Sequence, residues 1–99
     1  VFTHLSHVYG QGCSLYTTYL FRNAKDYHET LAYWRKLKHQ ASKVIVNNGG
    51  TISHQHGVGK DHAPYLKTEK GELAMELIAK VCQHFDPAKQ LNPGTLLDD

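Results

Sequence analysis

Several features that often indicate the class of a short protein are missing from this 99-residue sequence. No apolar run reaches the length that spans a bilayer, and no N-terminal segment has the pattern of a secretion signal. The two cysteines, Cys13 and Cys82, lie far apart and form no CxxC pair. We therefore expect two reduced thiols in a protein of the cytoplasm, not a disulfide framework or a redox motif.

An excess of charge of one sign is also missing. The 11 lysines and arginines nearly balance the 9 aspartates and glutamates, which gives a formal net charge of +2. This bias is too weak to indicate nucleic-acid binding. The length suits one modest domain. Because a strand pattern begins at the first residue, we expect residues 1–99 to be a fragment of a longer polypeptide.

Aromatic and β-branched residues dominate two short segments near the start of the chain. Residues 1–9 and 14–21 alternate in the manner of strands, and a Gly-Gln-Gly turn separates them. The pattern predicts an antiparallel hairpin. His7 and Tyr9 fall on one face of its first strand, because side chains at i and i+2 of a strand point the same way.

The rest of the chain alternates between helical patterns and glycine-rich breaks. A long helix is predicted from a capping pair, Asp26 and Glu29, to about residue 46, where an Asn-Asn-Gly-Gly run ends it. The predictions after it are a strand within residues 49–60, a short turn or helix at 62–66, a helix at 69–85 and a turn at 92–94. The expected fold class is α+β, an antiparallel sheet (the hairpin plus a further strand) packed by helices.

The further strand carries the most informative residues, His54 and His56. On an extended strand both imidazoles project from one face, and flanking glycines leave open space beside them. Such a pair suits a metal site, proton transfer or an exposed polar strand. Zinc needs three or four converging ligands, for which His4, His7 and His62 are further candidates. Because no acidic residue lies between positions 30 and 60, we expect no metal and favour proton transfer.

The Gly-Val-Gly-Lys run at residues 57–60 resembles part of a phosphate loop, but the GxxxxGK[ST] spacing is absent. A nucleoside triphosphate site is therefore rejected. Lys60 has two remaining interpretations, contact with a single anion or a solvated surface lysine. Tyr9 is interpreted as a core residue unless the hairpin lies beside the histidine strand, in which case a proton relay between Tyr9 and the imidazoles can form.

Taken together, these motifs resemble the C-terminal part of FAD-linked oxidases of the vanillyl-alcohol oxidase type. The resemblance rests on Ser-His-Gln-His-Gly-Val-Gly-Lys at residues 53–60, Tyr-Leu at 65–66, Phe-Asp-Pro at 85–87 and Leu-Asn-Pro-Gly at 91–94. Within that superfamily the chain is most similar to the alkyldihydroxyacetonephosphate synthases, whose histidine run is Ser-His-His-His-Gly-Val-Gly-Lys. Their strand pair carries Tyr-Asp-x-Gly-Ala-Cys, where this chain has Tyr-Gly-Gln-Gly-Cys-Ser at 9–14. The likeness spans nearly the whole sequence.

The resemblance implies that residues 1–99 are a C-terminal cap or substrate-domain fragment whose FAD is bound mainly by a domain outside this chain. The implied reaction replaces the acyl chain of a dihydroxyacetone phosphate ester by a fatty alcohol, without net redox change. The isolated fragment is expected to be inactive, because the cofactor domain is missing. The implied roles are acid/base chemistry for Tyr9 with support from His54 and His56, flavin contacts for His56, Gly57 and Asn92, and substrate contacts for His7 and Lys60.

One departure from the synthase pattern lies between the two histidines. Gln55 stands where the synthases have the middle histidine of their triplet. An amide side chain forms hydrogen bonds but does not titrate, so proton transfer by that position is lost.

An alternative within the superfamily is an FAD-dependent oxidoreductase of an alcohol or a 2-hydroxy acid such as D-lactate. Those enzymes carry Glu-His-Gly at the position of residues 55–57, and the metal-dependent members hold a divalent ion with that Glu and two histidines. His7 keeps one ligand by position, but Ser14 and Gln55 replace the other two, which argues against the metal-dependent type. The alternative of another class is a stand-alone His-rich module that binds a metal or another ligand.

The implied partners are the FAD-binding domain of the same polypeptide and a small-molecule or lipid substrate. No nucleic acid is expected, and a homodimer of the full-length protein is compatible with the resemblance. The expected location is the cytoplasm. Peripheral membrane attachment is the alternative, because an enzyme with lipid substrates has to reach them.

Overall fold

The structure, a computed structural model, describes residues 1–97 and has the predicted α+β class. The elements, in chain order, are strands β1 (Phe2–Tyr9) and β2 (Gly12–Thr18) and helices α1 (Tyr27–Asn47), α2 (Gly59–Lys70) and α3 (Glu72–Phe85). The chain divides into two compact units, Val1–Lys36 and Leu37–Asp99, with the boundary inside α1.

The first unit contains the predicted hairpin. β1 and β2 pair antiparallel, and the ladder continues to Tyr9 opposite Gly12 at the turn. β2 therefore begins at Gly12 and not at residue 14. The register shifts between Leu5 and Val8, where β1 has one more residue than β2. Such a bulge interrupts the strict alternation of faces that the sequence pattern predicts for the whole strand.

The start of α1 confirms the aspartate side of the predicted capping pair. The Glu29 amide donates to Oδ1 of Asp26 over 2.9 Å. The Thr30 hydroxyl donates to the Asp26 carbonyl oxygen over 2.7 Å. The Asp26 side chain thus gives the Glu29 amide, which has no partner within the first helical turn, a hydrogen-bond acceptor.

The end of α1 is set by two glycines. Gly49 has a φ of 74°, the left-handed conformation that commonly ends helices. Its amide donates to the carbonyl of Val46, and the Gly50 amide donates to that of Ile45 over 2.9 Å. A Cβ at Gly50 would lie 2.9 Å from Cγ2 of Ile45, so the close approach of this turn requires glycine.

α2 and α3 are separated by a single residue, Gly71. Its φ of 81° and ψ of 168° break the helical path, and its amide donates to the Lys67 carbonyl over 2.9 Å. The short element predicted at 62–66 is therefore a helix of 12 residues, and the following helix begins at Glu72 instead of residue 69. No helix within residues 1–97 is long and apolar enough to cross a membrane.

The further strand predicted within residues 49–60 does not form. The reason lies in the backbone, because four residues of this segment have positive φ angles: Gly49, Gln55, Gly57 and Gly59. A strand requires φ near −120° to −140°, so these conformations turn the chain instead of extending it. The prediction that His54 and His56 share one strand face is therefore wrong.

A small apolar core lies in the second unit. Its buried hydrophobic side chains are Val46 of α1, Ile52 of the following loop and Leu66 of α2, accompanied by buried Ser42. α3 has no buried residue, and a stripe along it is exposed: Leu73, Leu77, Val81 and Phe85. The free thiols of Cys13 and Cys82 are exposed as well.

Replacement of the α1 cap is the first test of this fold. Asp26→Ala removes the acceptor of the Glu29 amide, and we expect it to lower the free energy of unfolding by about 1 kcal/mol in urea titrations. Lys25→Ala, at the exposed neighbouring position, is the control and should leave the midpoint unchanged. Equal midpoints for the two variants would show that the cap contributes nothing.

Candidate functional site

The predicted histidines of the second unit lie on an irregular connection between α1 and α2. We name residues 51–58 the histidine loop. Within it Gln55 and Gly57 have φ angles of 65° and 71°. A left-handed conformation is uncommon for a residue other than glycine, and its repetition two residues later folds the chain into a tight turn. The positions of the imidazoles follow from this turn.

A side-chain hydrogen bond closes the tip of the histidine loop. The Ser53 hydroxyl donates to the carbonyl oxygen of Gly57. The three residues between them, His54, Gln55 and His56, are exposed. The tip is thus a small closed turn that presents two imidazoles and one amide.

One end of the histidine loop is anchored by a carboxylate of α2. The Ile52 amide donates to Oε2 of Glu69 over 2.8 Å. The Ile52 residue is 7% exposed, and the Glu69 side chain is 12% exposed. The other carboxylate oxygen of Glu69 accepts a 2.7 Å contact from Nζ of Lys70. A buried peptide N–H of the loop therefore has a charged acceptor.

Two opposing effects act on the acidity of Glu69. Partial burial raises its pKa, because desolvation disfavours the charged form. The hydrogen bond from the Ile52 amide and the charge of Lys70 favour the ionised form and outweigh burial. The pKa of Glu69 consequently lies below its ordinary value, and the carboxylate is ionised at neutral pH.

The other end of the histidine loop is anchored by an imidazole. Nζ of Lys38 donates to Nε2 of His62 over 2.8 Å, and Nδ1 of His62 lies 2.9 Å from the Val58 carbonyl oxygen. Because a carbonyl only accepts and an ammonium only donates, the two contacts fit the tautomer of His62 that carries its proton on Nδ1. Both ring nitrogens are engaged, so the candidacy of His62 as a metal ligand finds no support.

The hairpin brings His7 and Tyr9 together, as the i, i+2 spacing predicts. Their rings are stacked at 13°, with centroids 6.4 Å apart. Nδ1 of His7 is 3.1 Å from the Ser6 hydroxyl oxygen, and Tyr9 is 52% exposed. This pair belongs to the first unit and the histidine loop to the second. The relay between them stays a prediction.

The two remaining predicted residues lie elsewhere in the second unit. Lys60 is exposed in the first turn of α2, two positions after the histidine loop. Asn92, with a φ of 54°, lines a groove of about 680 Å³ between α2, α3 and the C-terminal segment. Met75, Cys82 and Leu96 are among the other residues of that groove, and no residue of the histidine loop lines it.

The residues that hold the histidine loop in place carry no signal in the sequence. Glu69 falls at the first position of the helix predicted at 69–85, and Lys38 falls within the helix predicted to end near residue 46. Their contacts join positions that are 17 and 24 residues apart in the chain. No motif spacing signals such contacts, because they depend on where α1, α2 and the loop meet.

Metal-ligating groups do not converge in the part of the chain that the structure describes. Within residues 1–97 no three His, Cys, Asp or Glu side chains are placed so that they could hold one ion. The geometry therefore offers no support for the stand-alone metal-binding module.

Comparison with known proteins identifies the class to which this fold and loop belong. Residues 1–96 match the family of FAD linked oxidases, C-terminal domain. The chain belongs to this family. No solved structure shows a significant match to it.

Individual relatives place the chain among several FAD-linked enzymes. It is 34% identical to alkyldihydroxyacetonephosphate synthase of Trypanosoma brucei brucei over 95% of this chain and 15% of that protein. It is 32% identical to an uncharacterized FAD-linked oxidoreductase of Escherichia coli O157:H7, over 94% of this chain and 19% of that protein. A glycolate oxidase subunit of Bacillus subtilis is 40% identical over 52% of this chain and 11% of its own length. The chain thus spans less than a fifth of these relatives.

The anchoring carboxylate makes stability depend on pH in a defined direction. Since the pKa of Glu69 in the folded protein lies below its ordinary value of 4.5, its contribution is complete above about pH 4.5. That contribution is lost as the pH falls through the folded-state pKa. Glu69→Gln keeps an acceptor for the Ile52 amide but loses its charge, so it should lower the free energy of unfolding by about 1 kcal/mol at pH 7, and by less at pH 3.

Urea unfolding of the wild type and of Glu69→Gln at pH 7 and at pH 3 measures how the loss of stability depends on pH. Glu72→Gln is the matched control, because Glu72 also pairs with a lysine, Lys67, but its side chain is 76% exposed. Its effect should be small at either pH. A loss that is the same for Glu69→Gln at pH 7 and pH 3 would contradict the assignment.

Proposed function

We propose that this chain is the C-terminal cap part of an FAD-dependent enzyme that exchanges the acyl chain of a dihydroxyacetone phosphate ester for an alkyl chain. The FAD-binding domain is proposed to belong to the same polypeptide. The observation that carries the proposal is the similarity of nearly the whole chain to alkyldihydroxyacetonephosphate synthases of three organisms, at 28–34% identity. The closed tip with two exposed imidazoles supports it.

The backbone of the histidine loop fits the close approach of a planar ring. Gly57 has a φ of 71°, and no atom lies within 4 Å of the place where a Cβ would project. The preceding His56 adds a hydrogen-bonding ring, and His54 lies on the same exposed tip. Open backbone beside imidazole donors and acceptors suits the polar edge of a flavin. We propose flavin contacts for His56 and Gly57, and for Asn92 from its own groove.

The proposed exchange requires protons to move at the substrate. The carbon–oxygen bond to the acyl chain breaks, a carbon–oxygen bond to the fatty alcohol forms, and the alcohol proton leaves with the fatty acid. When bound, the flavin supplies an acceptor for the electron pair released at the substrate carbon. Tyr9, acting as a phenolate beside the stacked His7 ring, is proposed to take the proton of that carbon, which makes it the hydroxyl, and then to return that proton.

The other proposed contacts follow from position and charge. His54 and His56 are proposed to assist proton transfer, and His7 and Lys60 to contact the substrate. Lys60 is exposed, and its ammonium suits a phosphate group. The proposed location is the cytoplasm, and peripheral membrane attachment is the alternative, because a lipid substrate requires access to membranes.

A second candidate function is oxidation of a 2-hydroxy acid or an alcohol by an FAD-dependent oxidoreductase. The similarity to the glycolate oxidase subunit favours it. Exchange leaves the flavin with no net change in redox state, whereas oxidation reduces it and requires an electron acceptor. The two candidates are therefore distinguishable by experiment.

The test uses the full-length polypeptide that carries this chain. We expect a flavin absorption spectrum, incorporation of labelled fatty alcohol into an acyl-dihydroxyacetone phosphate, and release of the fatty acid. Anaerobic addition of D-lactate or glycolate should leave the flavin oxidised. Bleaching of the flavin by either acid, without alcohol incorporation, would favour the second candidate. A colourless protein would reject both.

Tyr9 provides the sharpest test at the level of one residue. Tyr9→Phe keeps the ring that stacks on His7 and removes only the hydroxyl. We expect the exchange rate to fall by about a hundredfold or more while the flavin stays bound. Tyr33→Phe removes the same group from an exposed tyrosine of α1 and should leave the rate unchanged. Equal rates for the wild type and Tyr9→Phe would remove Tyr9 from the mechanism.

A further inference from the structure

The two anchors of the histidine loop lie on the same helix. His62 and Glu69 are seven residues apart, which places them on one face of α2, two turns from each other. His62 holds Val58 at the end of the loop, and Glu69 holds Ile52 near its beginning. Residues 52–58 therefore run along about 10 Å of α2, in the direction opposite to that of the helix.

We propose that Glu69 is a positioning residue for His54 and His56, and that its hydrogen bond to the Ile52 amide fixes the histidine loop against α2. The part of this inference that concerns catalysis rests on the proposed function. The part that concerns the loop does not, because it follows from the contacts alone.

The position of the Ile52 amide explains why its acceptor controls the tip. Ile52 is buried, so its N–H cannot rely on bulk water and needs an acceptor from the protein. The next residue, Ser53, makes the hydrogen bond that closes the tip on Gly57. A displacement of the Ile52 peptide therefore moves the first residue of the closed turn, and the imidazoles move with it.

The type of acceptor also matters. A carboxylate accepts more strongly than a neutral oxygen, and the contact of Glu69 with Lys70 keeps the other carboxylate oxygen in place. Within residues 1–97 the Glu69 carboxylate accepts hydrogen bonds from the Ile52 amide and from Nζ of Lys70. In this part of the chain it forms none with the backbone of its own helix. Its carboxylate thus acts on the loop more than on α2.

The chain provides a matched comparison three residues away. Glu72 also pairs with a lysine at 2.7 Å, but this pair is exposed and joins α2 to α3 without touching the histidine loop. Variants of Glu72 therefore reproduce the loss of a carboxylate and of an ion pair. They do not reproduce the loss of the loop anchor.

Hydrogen exchange in the full-length protein, read by mass spectrometry, is the direct test. We expect Glu69→Ala to speed exchange in peptides covering residues 51–58 about tenfold or more, and to leave peptides from the middle of α1 unchanged. Glu69→Gln keeps an oxygen acceptor for Ile52 and should restore most of the protection. Glu72→Ala should match the wild type.

Kinetics of the same variants test the consequence for the histidines. We expect Glu69→Ala to lower kcat for the proposed exchange of the acyl for the alkyl chain about tenfold or more, with the flavin still bound and KM little changed. The reason is that the proposed task of the imidazoles is proton transfer. Glu69→Gln should recover kcat to within about threefold at neutral pH. Recovery by the conservative variant distinguishes loop positioning from a general loss of stability.

Two results would overturn the inference. The first is a hydrogen-exchange rate of residues 51–58 in Glu69→Ala that equals that of the wild type. The second is faster hydrogen exchange of these residues in Glu69→Ala with an unchanged kcat. If Glu69→Ala does not fold, Glu69→Asp decides, because its carboxylate is one methylene too short to reach the Ile52 amide. Residues 51–58 must then exchange faster than in the wild type while the middle of α1 does not, and wild-type protection of residues 51–58 in Glu69→Asp would overturn the inference. A full-length protein without flavin or turnover would reject the proposed function, while hydrogen exchange would still decide the role of Glu69 in the loop.

Discussion

The hydrogen bond from the Ile52 amide to the Glu69 carboxylate is the constraint on which the second unit depends. It ties a buried loop residue to α2 across 17 positions of the chain, beside the small core that includes Leu66. The loop has no strand partner, so its backbone groups need acceptors and donors from side chains. Glu69 and His62 supply them, and α2 becomes the support of the loop.

This arrangement gives the histidines a different setting from the one that alternation predicts. On a strand, His54 and His56 would owe their shared direction to the pleat. On the closed tip, their placement depends on the left-handed Gln55 and Gly57 and on the contact from Ser53 to Gly57. Gln55 therefore has a structural position of its own, in a backbone conformation that is uncommon for a side-chain-bearing residue. Gln55 thus departs from the synthase pattern in residue type and also takes part in the turn through its backbone.

Family membership and local geometry were predictable to different degrees. The motif at residues 53–60 identified the family although the strand predicted for it was wrong. Residue types and their order carry the resemblance, and these do not depend on the φ angles of the segment. The glycines indicated special backbone conformations, but glycine occurs in both extended and left-handed regions, so the pattern could not choose between them.

The sequence by itself determined the α+β class, the hairpin, the cap of α1 at Asp26 and the glycine turn that follows its end at Asn47. These features depend on interactions between residues close in the chain. Only the tertiary structure decided that residues 51–58 are a loop held by α2. The contacts of Ile52 with Glu69 and of Lys38 with His62 join distant positions, and local propensity carries no information about such pairs. Burial then decides which polar groups must be satisfied, and burial exists only once the helices have come together.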